Sequence, residues 1–499
     1  MSGSINIAIL ILSLVLTFAL GLYLSRRQKN VKDYFLAGRN MPFWAVGFSI
    51  IATQISGISY LGIPAFVFQK DLTIFLRSLT ILCATIVIAF TLAPLFYRMN
   101  ITSIYEYLER RFSIHVRVVS SLILVITKLT WLSMVIYASG LLLSTQFEIP
   151  LTSCIIFSGL FTTLYTAWGG MKADIWTDVI QFFLMSMGLI VAIAIILYHF
   201  NGDVGEIWRI ASAGGHTVMV RDMANFNTEY SIWAILIGSF ILNLFDYGGN
   251  QITVQRYLTT SSVKGTIKSL LLSAVFTLPF IIVISLLGLG LFAYYNQHPQ
   301  MMQSLLSFSP DNPTKAMDRV FAHFIVNVIP VGLSGLVVSG IVAAGMSSAD
   351  SGFNSLSAIC FTDYYKRFFK KGKMGEHVEL NIAKKLSLFW GLICTVMALF
   401  INKIGLLMEV ANKIYSYFVG PIIALFFMGL FIKMIDATAA IVGMLLGLSM
   451  SFVLIKWTNV HFLWHAPFCF GVTIFSAVLF SLLNKIILNR FSFAKSSCS

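Results

Sequence analysis

The chain has 499 residues, of which 58% are hydrophobic and only 11% charged, and its mean hydropathy is +0.86. These values exclude an ordinary soluble globular protein, and apolar runs of about 20 residues recur throughout, the length needed to cross roughly 30 Å of hydrocarbon. The net charge of +14 would suit nucleic acid, but its distribution assigns it to membrane topology, so the lipid bilayer is the expected partner and nucleic acid is not.

Thirteen spans are predicted, near 5–24, 42–68, 71–97, 118–145, 150–167, 175–199, 231–250, 268–295, 325–360, 382–402, 409–432, 437–456 and 463–484. With the segment after the first span placed in the cytoplasm, most of the 34 Lys and Arg fall on the cytoplasmic side. They include Arg26, Arg27, Lys29, Lys32, Arg110, Arg111 and the run from Lys366 to Lys373. The positive-inside rule then puts the N-terminus outside and the C-terminus in the cytoplasm. The first span lacks an early basic region and a small-residue cleavage site, and reads as a retained helix. Two longer loops, at about 200–230 and 297–324, are expected outside.

The second span is interrupted by Ala52-Thr53-Gln54-Ile55-Ser56-Gly57-Ile58-Ser59, where amide, hydroxyl and glycine replace bulk apolar residues. A helix broken there frees backbone carbonyls, which is tolerated only where they line a cavity or bind something. The span at 231–250 ends in a second polar, glycine-containing segment, from Asn243 through Asp246 and Tyr247 to Gln251. Counted from the span at 42–68, the breaks lie in the first and sixth helices, the trace of an inverted five-helix repeat with a binding site between its halves.

Further along, Ala344, Ser347, Ser348 and Ser351 follow i, i+3, i+4, i+7 spacing, and Asn354 and Ser355 extend the row. One helix face is therefore small and oxygen-rich. Such a face either admits a close neighbouring helix or offers oxygens to a hard cation such as sodium. Asp350 favours the second use, because a carboxylate at membrane depth is expensive and commonly serves an ion or solute path. Arg77, Lys128 and Asp246 also lie within predicted spans near this region. The six cysteines, Cys83, Cys154, Cys360, Cys394, Cys469 and Cys498, have no metal or disulfide spacing. His461 and His465 lie near an external boundary and give no metal site, and no nucleophile elbow, phosphate loop or HExxH motif suggests an enzyme.

Several segments together resemble the sodium:solute symporter family. They are Asp33-Tyr34-Phe35-Leu36-Ala37-Gly38-Arg39, Thr102 to Phe112, Gly169-Gly170 to Gln181, Gln255-Arg256 and the serine stripe, in that order. The resemblance implies an all-α polytopic membrane protein of about 13 transmembrane helices with an inverted five-helix-repeat (LeuT-like) core. It divides the chain into a leading helix and loop (1–41), a ten-helix core (42–436, repeats about 42–200 and 231–436) and two trailing helices with a short tail (437–499). The family's principal sodium site carries over to Ala52, Ile55, Ala344, Ser347 and Ser348. A second cation site found in some members is similar to Asp178, Ser347 and Ser351, with Asp350 standing in place of a serine. Asp350 there either strengthens cation binding or is neutralised by a proton or a basic neighbour, and Asp178 alternatively anchors the cytoplasmic end of its helix.

Positions lining the solute site in relatives resemble Gln54, Ser56, Ser59, Ile74, Ser78, Trp131 and Asp246. Hydroxyls and the amide suit a hydroxyl-rich solute, while Trp131 and Tyr247 offer flat apolar surface or act as gates. Trp131 replaces the arginine of the sialic acid transporters and Ser59 the glutamine of a sodium–galactose relative, so neither specificity transfers. Lys128, about one turn from Trp131, either substitutes as an anion anchor or pairs structurally with Asp246, as Arg77 also could. The resulting expectation is a monomeric sodium-coupled symporter in a prokaryotic inner membrane, importing a small polar solute of sugar, sialic acid or carboxylate type, with sodium as the co-transported ion and no organic cofactor. The alternatives are a proton-coupled transporter using Asp350 or Asp178, and a passive channel or transporter-like sensor.

Overall fold

The computed structural model describes every residue except Met1, Arg26, Arg27, Glu148, 221–230, 370–374, 402–406, Asn459 and 497–499. The expected cytoplasmic charges Arg26, Arg27, Lys370, Lys371 and Lys373, and part of the expected external loop at 200–230, therefore lie outside the described residues. The described residues are almost entirely helical and contain no strand, only an isolated bridge between Met41 and Thr260.

The main helices are α1 (Ser2–Ser25), α2 (Phe43–Gln54), α3 (Gly57–Gln69), α4 (Leu76–Phe90), α5 (Ile114–Phe147), α6 (Leu151–His199), α7 (Ser239–Gly248), α8 (Gln251–Tyr257), α9 (Val263–Gln297), α10 (Leu333–Ile359), α11 (Glu376–Ala398), α12 (Leu407–Phe431), α13 (Ala437–Trp457) and α14 (His465–Ser496). Among the described residues nine helices are long and apolar enough to cross a membrane, or ten if the bent pair α2–α3 counts as one span. Two shorter apolar helices, Ala234–Gly248 and Tyr415–Phe431, add to these. Each of the thirteen expected spans falls on one of these elements, and the chain is a multi-span membrane protein.

Two expected spans share one element. A straight α6 of 49 residues would measure about 74 Å at 1.5 Å per residue, more than twice the hydrocarbon thickness. Gly170, with φ 60° and ψ −176°, divides it into two helices without an intervening loop. A Cβ at this position would lie 2.7 Å from the Tyr34 ring and 3.0 Å from the Tyr34 carbonyl oxygen. Tyr34 is fully buried and donates its hydroxyl to Ser387 Oγ at 2.9 Å, so it has little room to yield.

Both predicted breaks are present. α2 and α3 meet at 60° because Ile55 and Ser56 leave the helical region, and Ser56 Oγ restarts the helix by accepting from the Ser59 amide at 3.4 Å. The second break follows α7, where extended Asn250 caps α8 by accepting from the Ile252 amide at 3.2 Å. In each case a polar side chain replaces the amide or carbonyl partner that a helix end lacks. α10 runs through the middle of the molecule: 89% of its most apolar window is buried inside the protein. Enclosure by protein rather than lipid explains how it carries serines, an asparagine and a carboxylate in sequence.

Gly170→Ala should destabilise the protein by about 1–3 kcal/mol, because its conformation is essentially restricted to glycine. Thermal unfolding of the purified protein in detergent checks this, with Gly471→Ala as a comparison in open space and without a positive φ.

Candidate functional site

The site grows out of the α2–α3 break. Because α2 stops at Gln54, its last carbonyls have no amide to accept from except Ile51, which takes the Ile55 amide at 3.0 Å. The serine stripe supplies the missing donors. Ser347 Oγ donates to the Ala52 carbonyl at 2.8 Å and Ser348 Oγ to the Thr53 carbonyl at 2.9 Å. Both hydroxyls also lie within hydrogen-bond distance of the Ala344 carbonyl, at 3.1 and 3.2 Å. Four of the five expected sodium ligands, Ala52, Ala344, Ser347 and Ser348, therefore converge. Ile55 does not share these contacts; the carbonyl meeting Ser348 belongs to Thr53, and Ile55 lines a cavity instead. Neutral hydroxyl and carbonyl oxygens concentrated in this way match the ligand preference of a hard cation.

The four residues expected at a second cation site are differently arranged. Arg256, fully buried, extends its guanidinium between Asp178 and Ser351. Its Nη2 pairs with Asp178 Oδ2 at 2.8 Å and reaches Ser351 Oγ, while Nε donates to Ser49 Oγ at 2.8 Å. Ser49 donates in turn to the same Asp178 oxygen at 2.6 Å. Asp178 thus ties α6 to α2 and α8 rather than merely anchoring its own helix. Asp350 turns elsewhere, accepting from the Tyr165 hydroxyl at 2.5 Å and from Ser351 Oγ at 2.9 Å. Nearby Asp174 accepts from Asn354 at 3.0 Å. Gln255 donates to Asn354 and to the Phe35 carbonyl, which joins the Asp33–Arg39 segment to the network.

The two breaks touch each other: Gln54 Nε2 donates to Thr253 Oγ1 at 3.1 Å. Beside this contact is a cavity of about 110 Å³ lined by Gln54, Ser56, Ser59, Lys128, Trp131 and Asp246, together with Arg77 and Tyr415. A second, of about 100 Å³, shares Gln54, Ser59, Arg77 and Asp246 and adds Ile74 and Tyr247. Ser78 faces neither cavity; its hydroxyl returns to the Phe75 carbonyl of the preceding turn at 2.5 Å. Asp246 accepts from Tyr415 and, at 3.4 Å, from Asn250. Neither Lys128 nor Arg77 forms an ion pair with it within 4.0 Å among the described residues, so the expected structural pairs are not formed. Lys128 Nζ instead lies 5.0 Å from the Trp131 ring centroid and 4.9 Å from that of Tyr415.

Arg256, Tyr165, Asp174, Thr253 and Tyr415 are the participants that sequence reasoning missed. Asp174 carried a signal, its i, i+4 spacing from Asp178. Arg256 was visible as a motif residue, but it follows the apolar run, and hydropathy gave no reason to place it at membrane depth.

Two broken helices in contact, joined by a central serine-bearing helix and flanked by a polar cavity, define an inverted-repeat membrane transporter. The chain belongs to the sodium:solute symporter family, whose family profile matches residues 34–447. It is similar to the sodium/sialic acid symporter NanT of Aliivibrio fischeri, with 29% identity over 93% of this chain and 90% of that one. It is also similar, at 29% identity, to the sodium/glucose cotransporter of Vibrio parahaemolyticus, over 88% of this chain and 83% of that one. Among solved structures, a substrate-bound, outward-open Na+-coupled sialic acid symporter aligns with a TM-score of 0.88 and 28% identity, covering 96% of this chain and 97% of that one.

Arg256→Gln should destabilise the fold by about 3–5 kcal/mol, since it strands a buried carboxylate. Asp178→Asn in the same chain should recover part of that loss. A double-mutant cycle in thermal unfolding measures the coupling; additive losses would mean that the pair is not a unit.

Proposed function

We propose that this chain is a secondary active symporter that draws a small polar organic solute inward together with sodium. The observation carrying this reading is the pair of contacts from Ser347 and Ser348 to the carbonyls of Ala52 and Thr53, across the α2–α3 break. Sodium would take Ala52, Ile55, Ala344, Ser347 and Ser348 as ligands. The two hydroxyls turn their protons away from the carbonyls, and the oxygens of both then face the ion. The ion thereby bridges α2 and α10, while the solute contacts the same break through Gln54, Ser56 and Ser59. One break serving both ligands gives each a means to favour the conformation that binds the other. Solute and sodium enter from outside, the repeats rock or gate about the site, and release follows to the cytoplasm.

The proposal takes 42–436 as the transport core, with the N-terminus outside, the C-terminus in the cytoplasm and the monomer as the working unit in a prokaryotic inner membrane. It assigns no enzymatic activity and no organic cofactor. A second cation at Asp178, Ser347, Asp350 and Ser351 requires the Arg256 guanidinium to leave Ser351, so coupling is assigned to the main site. The names of the relatives, sodium/sialic acid symporter and sodium/glucose cotransporter, support sodium coupling while differing in solute.

Sodium replacing choline should raise the unfolding temperature of the wild-type protein, and Ser348→Ala should weaken that response. At about 100 Kd of a ligand specific for the folded state, roughly 2.7 kcal/mol of stabilisation is expected. Proteoliposome uptake should require an inward sodium gradient. Uptake in choline that follows an imposed pH gradient would assign the coupling to a proton instead, and uptake that never exceeds equilibrium would indicate a passive pore.

A further inference from the structure

We infer that the solute is an organic monoanion whose carboxylate is held by Lys128 and Arg77, with a partly apolar body. This rests on the transport reading above and concerns the same cavities. Their charges do not balance. Lys128 is only 3% exposed and lines the first cavity, between two aromatic rings and with no carboxylate within 4.0 Å among the described residues. Ring faces attract the ammonium but cannot neutralise it. Arg77 lines both cavities and likewise forms no ion pair among the described residues. Against these two cations stands one carboxylate, Asp246, whose Oδ1 is already engaged by Tyr415 and Asn250. Asp246 interacts electrostatically with both cations but balances only one of them. The remaining charge is expensive at membrane depth, and a carboxylate on the solute neutralises it. A neutral sugar leaves the excess in place, and so does a zwitterion, because its ammonium cancels its carboxylate.

The remaining surface describes the rest of the molecule. The second cavity is walled by Ile55, Ile63, Ile74, Ile81 and Ile281, and it joins the first at Gln54, Ser59, Arg77 and Asp246. Apolar substance fits on that side of Arg77, with the carboxylate toward Lys128. Asp246 Oδ2 accepts no bond from the described residues, so a hydroxyl or amide N–H on the solute has an acceptor at the junction.

The test uses the purified full chain and three acids (isovalerate, lactate and nicotinate), each paired with its neutral amide, with glucose as a neutral polyol. Thermal unfolding is followed in sodium and in choline. At least one acid should stabilise the wild type at about one-tenth or less of the concentration that its amide requires. Lys128→Met and Arg77→Met should each weaken that acid about tenfold or more, while Lys128→Arg keeps it within a few-fold. Amides or glucose that match or surpass the acids would overturn the inference, as would unchanged acid binding in both methionine variants. The acid–amide comparison on the wild type decides the matter even where a variant folds poorly. The effect of sodium without solute, compared with choline, is read separately: indifference to sodium would sink the symport reading while the acid–amide preference still stands or falls alone.

Discussion

The buried guanidinium of Arg256 is the constraint around which the interior is organised. A charge removed from water is tolerated only if nearly all its donors find acceptors, and here they come from different parts of the chain: Asp178 on α6, Ser49 on α2, Ser351 on α10 and the Ile252 carbonyl on its own helix. Four elements must therefore stand in one relative arrangement before the charge is satisfied. The neighbouring residues extend the same requirement. Gln255 fixes Phe35 and Asn354, Asn354 fixes Asp174, and Tyr34 fills the space beside Gly170. Three of the sequence segments that carry the family resemblance, together with the serine stripe, thus meet in a single polar core.

A helix break is costly in hydrocarbon unless something receives its unpaired backbone groups. Here the receiving groups are side chains on another helix, so local satisfaction becomes tertiary linkage. Ser347 and Ser348 hold the end of α2, and Gln54, its last residue, reaches Thr253 on α8. An ion that takes over the serines and carbonyls acts on the same short stretch that lines the solute cavity. Proximity of this kind allows two ligands to share one conformational equilibrium without a long relay.

A second charged network braces the segment between α4 and α5. Asp363 accepts from Ser103 at 2.9 Å and pairs with Arg117 at 2.5 Å, while Glu109 receives Arg117 at 2.5 Å and Arg367 at 2.6 Å. Gln251, the first residue of α8, bonds both the Thr102 carbonyl and the Ile104 amide. Basic residues of these connecting segments therefore perform local structural work. Arg111 does the same by capping the carbonyls of Gly429 and Ile432.

The sequence alone determined the properties that depend on neighbours a few positions apart. Apolar run length located the spans, helical period placed the serines on one face, and clustered amide, hydroxyl and glycine marked both breaks. Tertiary packing decided everything that depends on distant partners. Ser347 and Ala52 are separated by 295 positions and Arg256 and Asp178 by 78, and no local pattern specifies such distances. Packing also chose between side-chain directions that sequence leaves equal: Ser78 turned into its own helix, Thr53 rather than Ile55 met Ser348, and Lys128 settled between two rings rather than on Asp246. A rotamer follows the space left by neighbouring helices, so these choices exist only once the chain has folded.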